Sequence, residues 1–319
     1  MKKRIKNFLF AGRYSWKIDT AVKYSLFHAL LQYHGLHLFK KNRLRSPLLM
    51  QLQTVSGCNA ECKLCPSRRQ KSNKMNDEVF AAVLKSIESS GLKYIYITLQ
   101  NEPTLDDTLC AKINAVKTTK PGVITEIITN GSLLNDRLME ELVNSKLDIC
   151  TISIDTVDAG LFKSLRGLDL FHILAKVDKL KNHPQRKFSL FIRCTRSTIN
   201  NHAIGGLKKY FRGKHIPVVV WPANDRNNDI DGQYIPHSRY YYFFKLLKIP
   251  CTIPFCIINI AWDGRLILCC NDWSANRWGS ISPSVKTWID DLAGIRGQLI
   301  AHRCDYCKNC SIYKNLNSR

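Results

Sequence analysis

Residues 56–69 read SGCNAECKLCPSRR, and the rest of the chain is read outward from them. Cys58, Cys62 and Cys65 fall within eight residues, directly after the apolar run LLMQLQTV. A zinc ribbon needs a fourth ligand and commonly two CxxC knuckles. Three thiolates on one short loop suit a cubane iron–sulfur cluster, whose fourth iron then has no protein ligand. A three-thiol zinc site and a chance cluster are the competing readings.

Downstream of the loop the chain falls into a rhythm. DEVFAAVLKSIESSG reads as a helix ending at Gly91, KYIYITL as a strand, DDTLCAKINAVKTT as a helix and GVITEIIT as a strand. NDRLMEELVNS then reads as a helix and LDICTISI as a strand, followed by a helix around 169–182. KFSLFIRCT, HAIGGLKKYFRG and IPVVVW continue as strand, weaker helix and strand. With LLMQLQTV this makes six β/α steps, with strands rich in Val, Ile, Thr and Tyr. Such alternation predicts an α/β chain with a parallel sheet, either an open doubly wound sheet or a partial barrel. Both arrangements put working groups at the carboxyl ends of the strands.

The 319 residues suffice for one large core, or for one core and a small appended unit. Lys and Arg total 48 against 25 Asp and Glu, a net charge of +23, which favours acidic partners such as nucleic acid, an anionic membrane or an acidic substrate. No apolar stretch reaches the roughly 20 uncharged residues of a membrane helix. The basic start lacks a clean apolar region and a cleavage site, so a secretory signal is rejected and a cytoplasmic location is expected. There the thirteen cysteines are better read as metal ligands or buried thiols than as disulfides. Cys110, Cys150 and Cys194 sit alone in apolar surroundings and read as core residues.

Four units are expected. Residues 1–48 form a basic N-terminal helical extension with eleven Lys or Arg and one acid, Asp19. It reads as a helix packed on the main domain or, alternatively, resting on an anionic membrane surface. Residues 49–221 form the barrel, 222–250 a connector, and 251–319 a cysteine-rich unit. In the connector, Asp225, Arg226 and Asp229 read as a solvated loop or as contacts at the barrel mouth. Tyr240, Tyr241 and Tyr242 read as packing.

CxxxCxxC after the first strand of a six-step β/α chain resembles the radical S-adenosylmethionine (SAM) enzymes. Further segments carry the resemblance. LQNEPTLD resembles the family's GGEP segment, with Glu102 and Pro103 kept but Gln100 and Asn101 in place of the two glycines. Asn130 and Gly131 match its TNG turn, and Ser153, Asp155 and Arg166 match positions that face the SAM ribose or carboxylate. Leu64 matches the usual apolar neighbour of the adenine. The resemblance implies a partial (β/α)6 radical SAM barrel and a 4Fe–4S cluster on Cys58, Cys62 and Cys65 whose open iron binds SAM. Glu102, Asn130, Ser153, Asp155 and Arg166 are then SAM contacts, with Glu102 accepting from the ammonium group. The implied chemistry is one-electron cleavage of SAM to a 5′-deoxyadenosyl radical that abstracts hydrogen from a substrate. It needs an electron donor such as flavodoxin or ferredoxin.

Seven cysteines lie in the last 69 residues. INIAWDGRLIL predicts a hairpin turning at Asp263–Gly264. The cysteines around it resemble the SPASM/twitch extension of radical SAM enzymes, which carries an auxiliary 4Fe–4S cluster. Seven thiols fall short of the eight that two fully ligated clusters need. One auxiliary cluster is therefore expected, held by Cys251, Cys269, Cys307 and Cys310. Cys304, Cys256 and Cys270 are alternates, and zinc is the competing occupant.

The expected reaction is a two-electron oxidation in which the auxiliary cluster takes the second electron. A sugar, a cyclitol or a glycan precursor is favoured as substrate. A peptide maturase ranks second, because about 50 residues before the first strand are too few for a leader-binding winged helix. A nucleic-acid-binding protein ranks last. The basic residues are scattered, no zinc finger is present, and the aromatics form no stacking platform, so no nucleic-acid partner is expected. The histidines, including His28, His34 and His37, form no catalytic dyad.

Overall fold

The computed structural model describes residues 47–224, Arg226, residues 253–273, and two single positions, Leu30 and His34, which are helical and exposed. Its framework is one eight-stranded sheet. The strands are β1 (Leu49–Leu52), β2 (Tyr94–Tyr96), β3 (Ile124–Thr129), β4 (Ile149–Ser153), β5 (Ser189–Arg196), β6 (Val218–Pro222), β7 (Ile257–Ile260) and β8 (Leu266–Ile267). Their spatial order is β6-β5-β4-β3-β2-β1-β7-β8. Every neighbouring pair is parallel except β7–β8.

Helices α1 (Asp77–Ser89), α2 (Leu109–Thr119), α3 (Asp136–Asn144), α4 (Ala159–Arg166), α5 (Leu170–Asn182) and α6 (Ile204–Gly213) connect the strands. A short helix, α7 (Ile253–Cys256), leads into β7. Local chemistry sets several of their starts. The side chains of Asn76, Asn135, Asp158 and Asp169 each accept a backbone N–H of the first turn, at 2.8–3.1 Å. Such caps satisfy donors that have no partner inside the helix. Between β4 and β5 the sequence predicts only the helix around 169–182. The structure has α4 as well, opened by Asp158 and closed by Gly167 in the left-handed conformation, φ 68°.

Alternation along the strands sorts the apolar residues into two clusters. Met50, Ile95, Ile127, Cys150, Ile152, Ile192 and Cys194 pack toward the helices, with Val83, Ile113, Leu142, Ile173 and Phe211. Leu49, Tyr94, Ile124, Ile149, Phe191, Val219 and Ile257 cluster on the opposite face. Cys150 and Cys194 are thus core thiols, and Cys110 packs against the same cluster. On the inner face, buried Glu126 accepts hydrogen bonds from the hydroxyls of Tyr94 and Thr151, so this acid is spent inside the sheet.

The hairpin at Asp263–Gly264 is present, with Gly264 at φ 82°. Its first strand does more than turn back: β7 lies parallel to β1, Leu49 to Leu52 facing Ile257 to Ile260. The Arg226 Nη1 group, beyond β6, donates to Asn271 Oδ1, beyond β8, at 2.6 Å. Chain segments from the two ends of the strand order therefore touch, as a curled, partial barrel requires.

Candidate functional site

The cysteine loop leaves β1 and crosses the carboxyl end of the sheet. Its entry is pinned by Gly57, whose φ of 81° suits glycine, and by Glu102 N–H donating to Gly57 O at 2.9 Å. Farther on, the N–H groups of Glu61 and Lys63 donate to Arg166 O and Leu165 O at 3.1 and 2.9 Å. The loop therefore rests on the end of α4.

Cys58, Cys62 and Cys65 line one cleft of about 210 Å³ together with Leu64, Glu102, Asn130, Ser153, Asp155 and Arg166. Six further sequence-predicted residues, from the cysteine loop, the carboxyl ends of β2, β3 and β4 and the end of α4, thus line the same cleft as the three thiols. Among the described residues, no three His, Cys, Asp or Glu side chains meet as they would around a single metal ion. A cubane binds each thiolate at a different iron, so its ligands need not converge on one point. Burial pushes the Cys58 thiol up to about 12. Burial also raises Cys62, while the guanidinium of Arg166, with Nη1 4.0 Å from the sulfur, pulls it back. Burial raises the core thiols Cys150 and Cys194 too, so what sets Cys58, Cys62 and Cys65 apart is their place together on one cleft. The donor set fits the cluster.

The acids of the cleft are already engaged. Glu102 is 2% exposed and accepts four hydrogen bonds: Thr104 N–H, Thr104 hydroxyl and Thr129 hydroxyl at one oxygen, and Asn130 N–H at the other, at 2.5–3.1 Å. Burial raises its carboxyl, and those four bonds work against the rise. Only the oxygen facing Asn130 keeps room for a further donor. Asp155 accepts from Arg166 Nε and from Thr195 N–H, both at 2.7 Å. Burial opposes the Arg166 charge, but Asp155 and Cys62 more than offset it and raise its pKa. Asn130 ties the cysteine loop down: its amide donates to Asn59 Oδ1 at 2.9 Å and its oxygen accepts from Ser132 N–H at 2.8 Å.

Gly131 follows at φ 79°, and a Cβ there would meet Ile152 Cγ2 at 3.1 Å. Gly131→Ala is expected to cost about 1–2 kcal/mol for the left-handed backbone alone. A lowered urea midpoint would register it, and an unchanged midpoint would show that the turn relaxes.

The two residues that replace glycines take on other work. Gln100 turns its amide to the carbonyls of Cys270 and Asp272, at 3.3 and 2.7 Å, joining the β2 end to the segment beyond β8. Asn101 accepts from Leu99 N–H at 3.0 Å, and its Nδ2, buried and lining the cleft, has no partner. Sequence reading missed Gln51, Arg193 and Trp273, which also line the cleft, and named Cys270 only as an alternate auxiliary ligand. The signal for Arg193 was a charge set between apolar residues of β5. Arg226 reaches the cleft, whereas Asp225, Asp229 and Tyr240 to Tyr242 lie outside the described residues.

Of the C-terminal cysteines, Cys251, Cys304, Cys307 and Cys310 also lie outside them. Cys269 is buried at 9% exposure. Cys256 is fully buried at the amino end of β7, its thiol directed to Ile253 O, at the opposite end of the sheet from the cleft.

Comparison with known proteins agrees with this geometry. Residues 52–195 match the radical SAM superfamily model. Over 199 residues the chain is 29% identical to GTP 3′,8-cyclase of Chlorobaculum tepidum, covering 60% of this chain and 58% of the cyclase. It is 30% identical over 137 residues to a tungsten-containing aldehyde ferredoxin oxidoreductase cofactor-modifying protein of Pyrococcus furiosus, covering 41% and 37% of the two chains. The chain thus spans little more than half the length of the cyclase. Its fold is shared with Streptococcus suis SuiB bound to the precursor peptide SuiA, with TM-score 0.68, 16% identity, and 92% and 75% coverage. BtrN in complex with AdoMet and 2-DOIA gives TM-score 0.58, 15% identity, and 84% and 94% coverage. Residues 52–195 of this chain are thus a radical SAM domain, and the sheet order and the three-thiol cleft agree with that match.

Proposed function

We propose that the protein is a radical SAM oxidoreductase. The observation that carries the reading is the single cleft that brings Cys58, Cys62 and Cys65 beside Glu102, Asp155 and Arg166. When bound, a 4Fe–4S cluster with SAM supplies an electron to the sulfonium and so a radical able to abstract hydrogen. Cys58, Cys62 and Cys65 hold the cluster. Arg166 sits beside Cys62 and favours its thiolate form. The free acceptor position of Glu102 takes the SAM ammonium. Asn130 and Ser153 complete the SAM wall, with Asp155 holding Arg166 in place. The buried strand faces keep bulk water from the floor of the cleft.

Cys251, Cys269, Cys307 and Cys310 would hold an auxiliary 4Fe–4S cluster, which would supply an acceptor for the second electron of a two-electron oxidation. The favoured substrate is a sugar, a cyclitol or a glycan precursor. A modified peptide is the alternative, and the shared fold serves both classes.

The test is anaerobic reconstitution with iron and sulfide, followed by dithionite and SAM. About eight irons per chain are expected, two cubanes, together with 5′-deoxyadenosine. About four irons would remove the auxiliary cluster from the reading. No iron and no 5′-deoxyadenosine would overturn the reading altogether.

A further inference from the structure

We infer that the substrate of this cleft carries an anionic group, a carboxylate or a phosphate, held by Arg193 and Arg226. The inference rests on the reading above, since it concerns the substrate of the same site. It follows from which polar groups the fold has already used.

The two acids lining the cleft are spent: Glu102 on Thr104, Thr129 and Asn130, and Asp155 on Arg166 and Thr195. That pairing also consumes Arg166. Two guanidinium groups remain. Arg193, on β5, lies over the Trp221 ring at 5.8 Å, which orients it and leaves its N–H groups available. Arg226 spends one N–H on Asn271. Neither is in an ion pair among the described residues.

The neutral groups lean the same way. Trp273 Nε1 and Asn101 Nδ2 are buried, line the cleft and have no partner, and both are donors. One buried acceptor, Gln51 Oε1, stands against them. Among the described residues, two cations outside any ion pair and two orphaned donors, set against one orphaned acceptor, leave the cleft short of negative charge. Buried polar groups are costly unless satisfied, so the missing partner is an acceptor-rich anion. The guanidinium fork fits the paired oxygens of a carboxylate or a phosphate. Arg193 is on β5, four strands from β1 in the spatial order, and Arg226 lies beyond β6. A net charge of +23 draws such a substrate toward the molecule.

The test is phenylglyoxal modification of the reconstituted, SAM-loaded protein, with adducts located by peptide mass spectrometry. Inorganic phosphate and acetate are the two probes. At ten times its dissociation constant, the fitting anion is expected to slow modification of Arg193 and Arg226 about tenfold. Arg137, 76% exposed and remote from the cleft, should react at its usual rate. Protection by phosphate at lower concentration than acetate assigns a phosphate group, and the reverse order assigns a carboxylate. Equal protection by potassium chloride at matched ionic strength would overturn the inference. So would full protection by SAM alone, or no protection by either anion. Iron and 5′-deoxyadenosine are measured on the same sample. Cleavage without protection removes this inference alone. Protection without cleavage leaves the anion site standing while the radical SAM reading falls.

Discussion

Replacing Cys58, Cys62 and Cys65 together with alanine is expected to abolish 5′-deoxyadenosine formation and to lower bound iron from about eight to about four per chain. The three side chains are ligands from one loop, so their losses do not add separately; removing all three removes the whole site. The fold should survive, because the loop is held by backbone contacts that alanine keeps. Glu61 and Lys63 still donate to the end of α4, and Glu102 to Gly57 O. Far-ultraviolet circular dichroism of the variant should therefore overlay that of the parent protein. Retention of full iron with loss of cleavage would mean that these thiols do not carry the cluster.

The second large effect is expected at Asp155. Its carboxylate pairs with Arg166, and the two side chains are only 5% and 11% exposed. Asp155→Ala strands a guanidinium inside the protein and frees the Thr195 N–H, at a cost of about 3–5 kcal/mol. Asp155→Asn keeps an acceptor for Thr195 and should cost less. Asp107→Ala provides the contrast: its pair with Lys74 is 63% and 51% exposed, and solvent screening leaves such surface pairs little to contribute. Urea unfolding of the three variants checks the ranking. A midpoint for Asp155→Ala no lower than that for Asp107→Ala would show that the buried pair does not support the fold. Iron binding should weaken as well, because the guanidinium that Asp155 holds is the one beside Cys62.

Much of this molecule could be read along the chain. The six strands of the barrel and their order follow from short β-branched runs alternating with helical patterns, and the structure keeps that sequence of elements. The hairpin at Asp263–Gly264 was legible because its turn chemistry is local. Helix α4 escaped notice although both its signals were present, Asp158 at the start and Gly167 at the end; with eight residues it is too short for periodicity to stand out. The pairing of β7 with β1 had no such signal, since the partners are some two hundred residues apart and a parallel ladder leaves no mark on the intervening sequence.

The same division runs through the site. Cys58, Cys62 and Cys65 stood out because three thiols fall on one short loop. The NEP, TNG and SID segments were legible because each sits at a strand end. Sequence alone thus determined the order of elements, the spacing of the thiol triad and the resemblance to the radical SAM enzymes. Only the tertiary structure decided which charges remain to be used. It committed Asp155 to Arg166 and spent Glu102 on two threonines and a backbone amide. It turned Gln100 toward Cys270 and Asp272, and left Arg193 and Arg226 lining the cleft with no carboxylate partner among the described residues. The reason is physical. Helix and turn preferences depend on neighbours in the chain, whereas the pairing of a buried charge depends on neighbours in space, which only the folded sheet supplies.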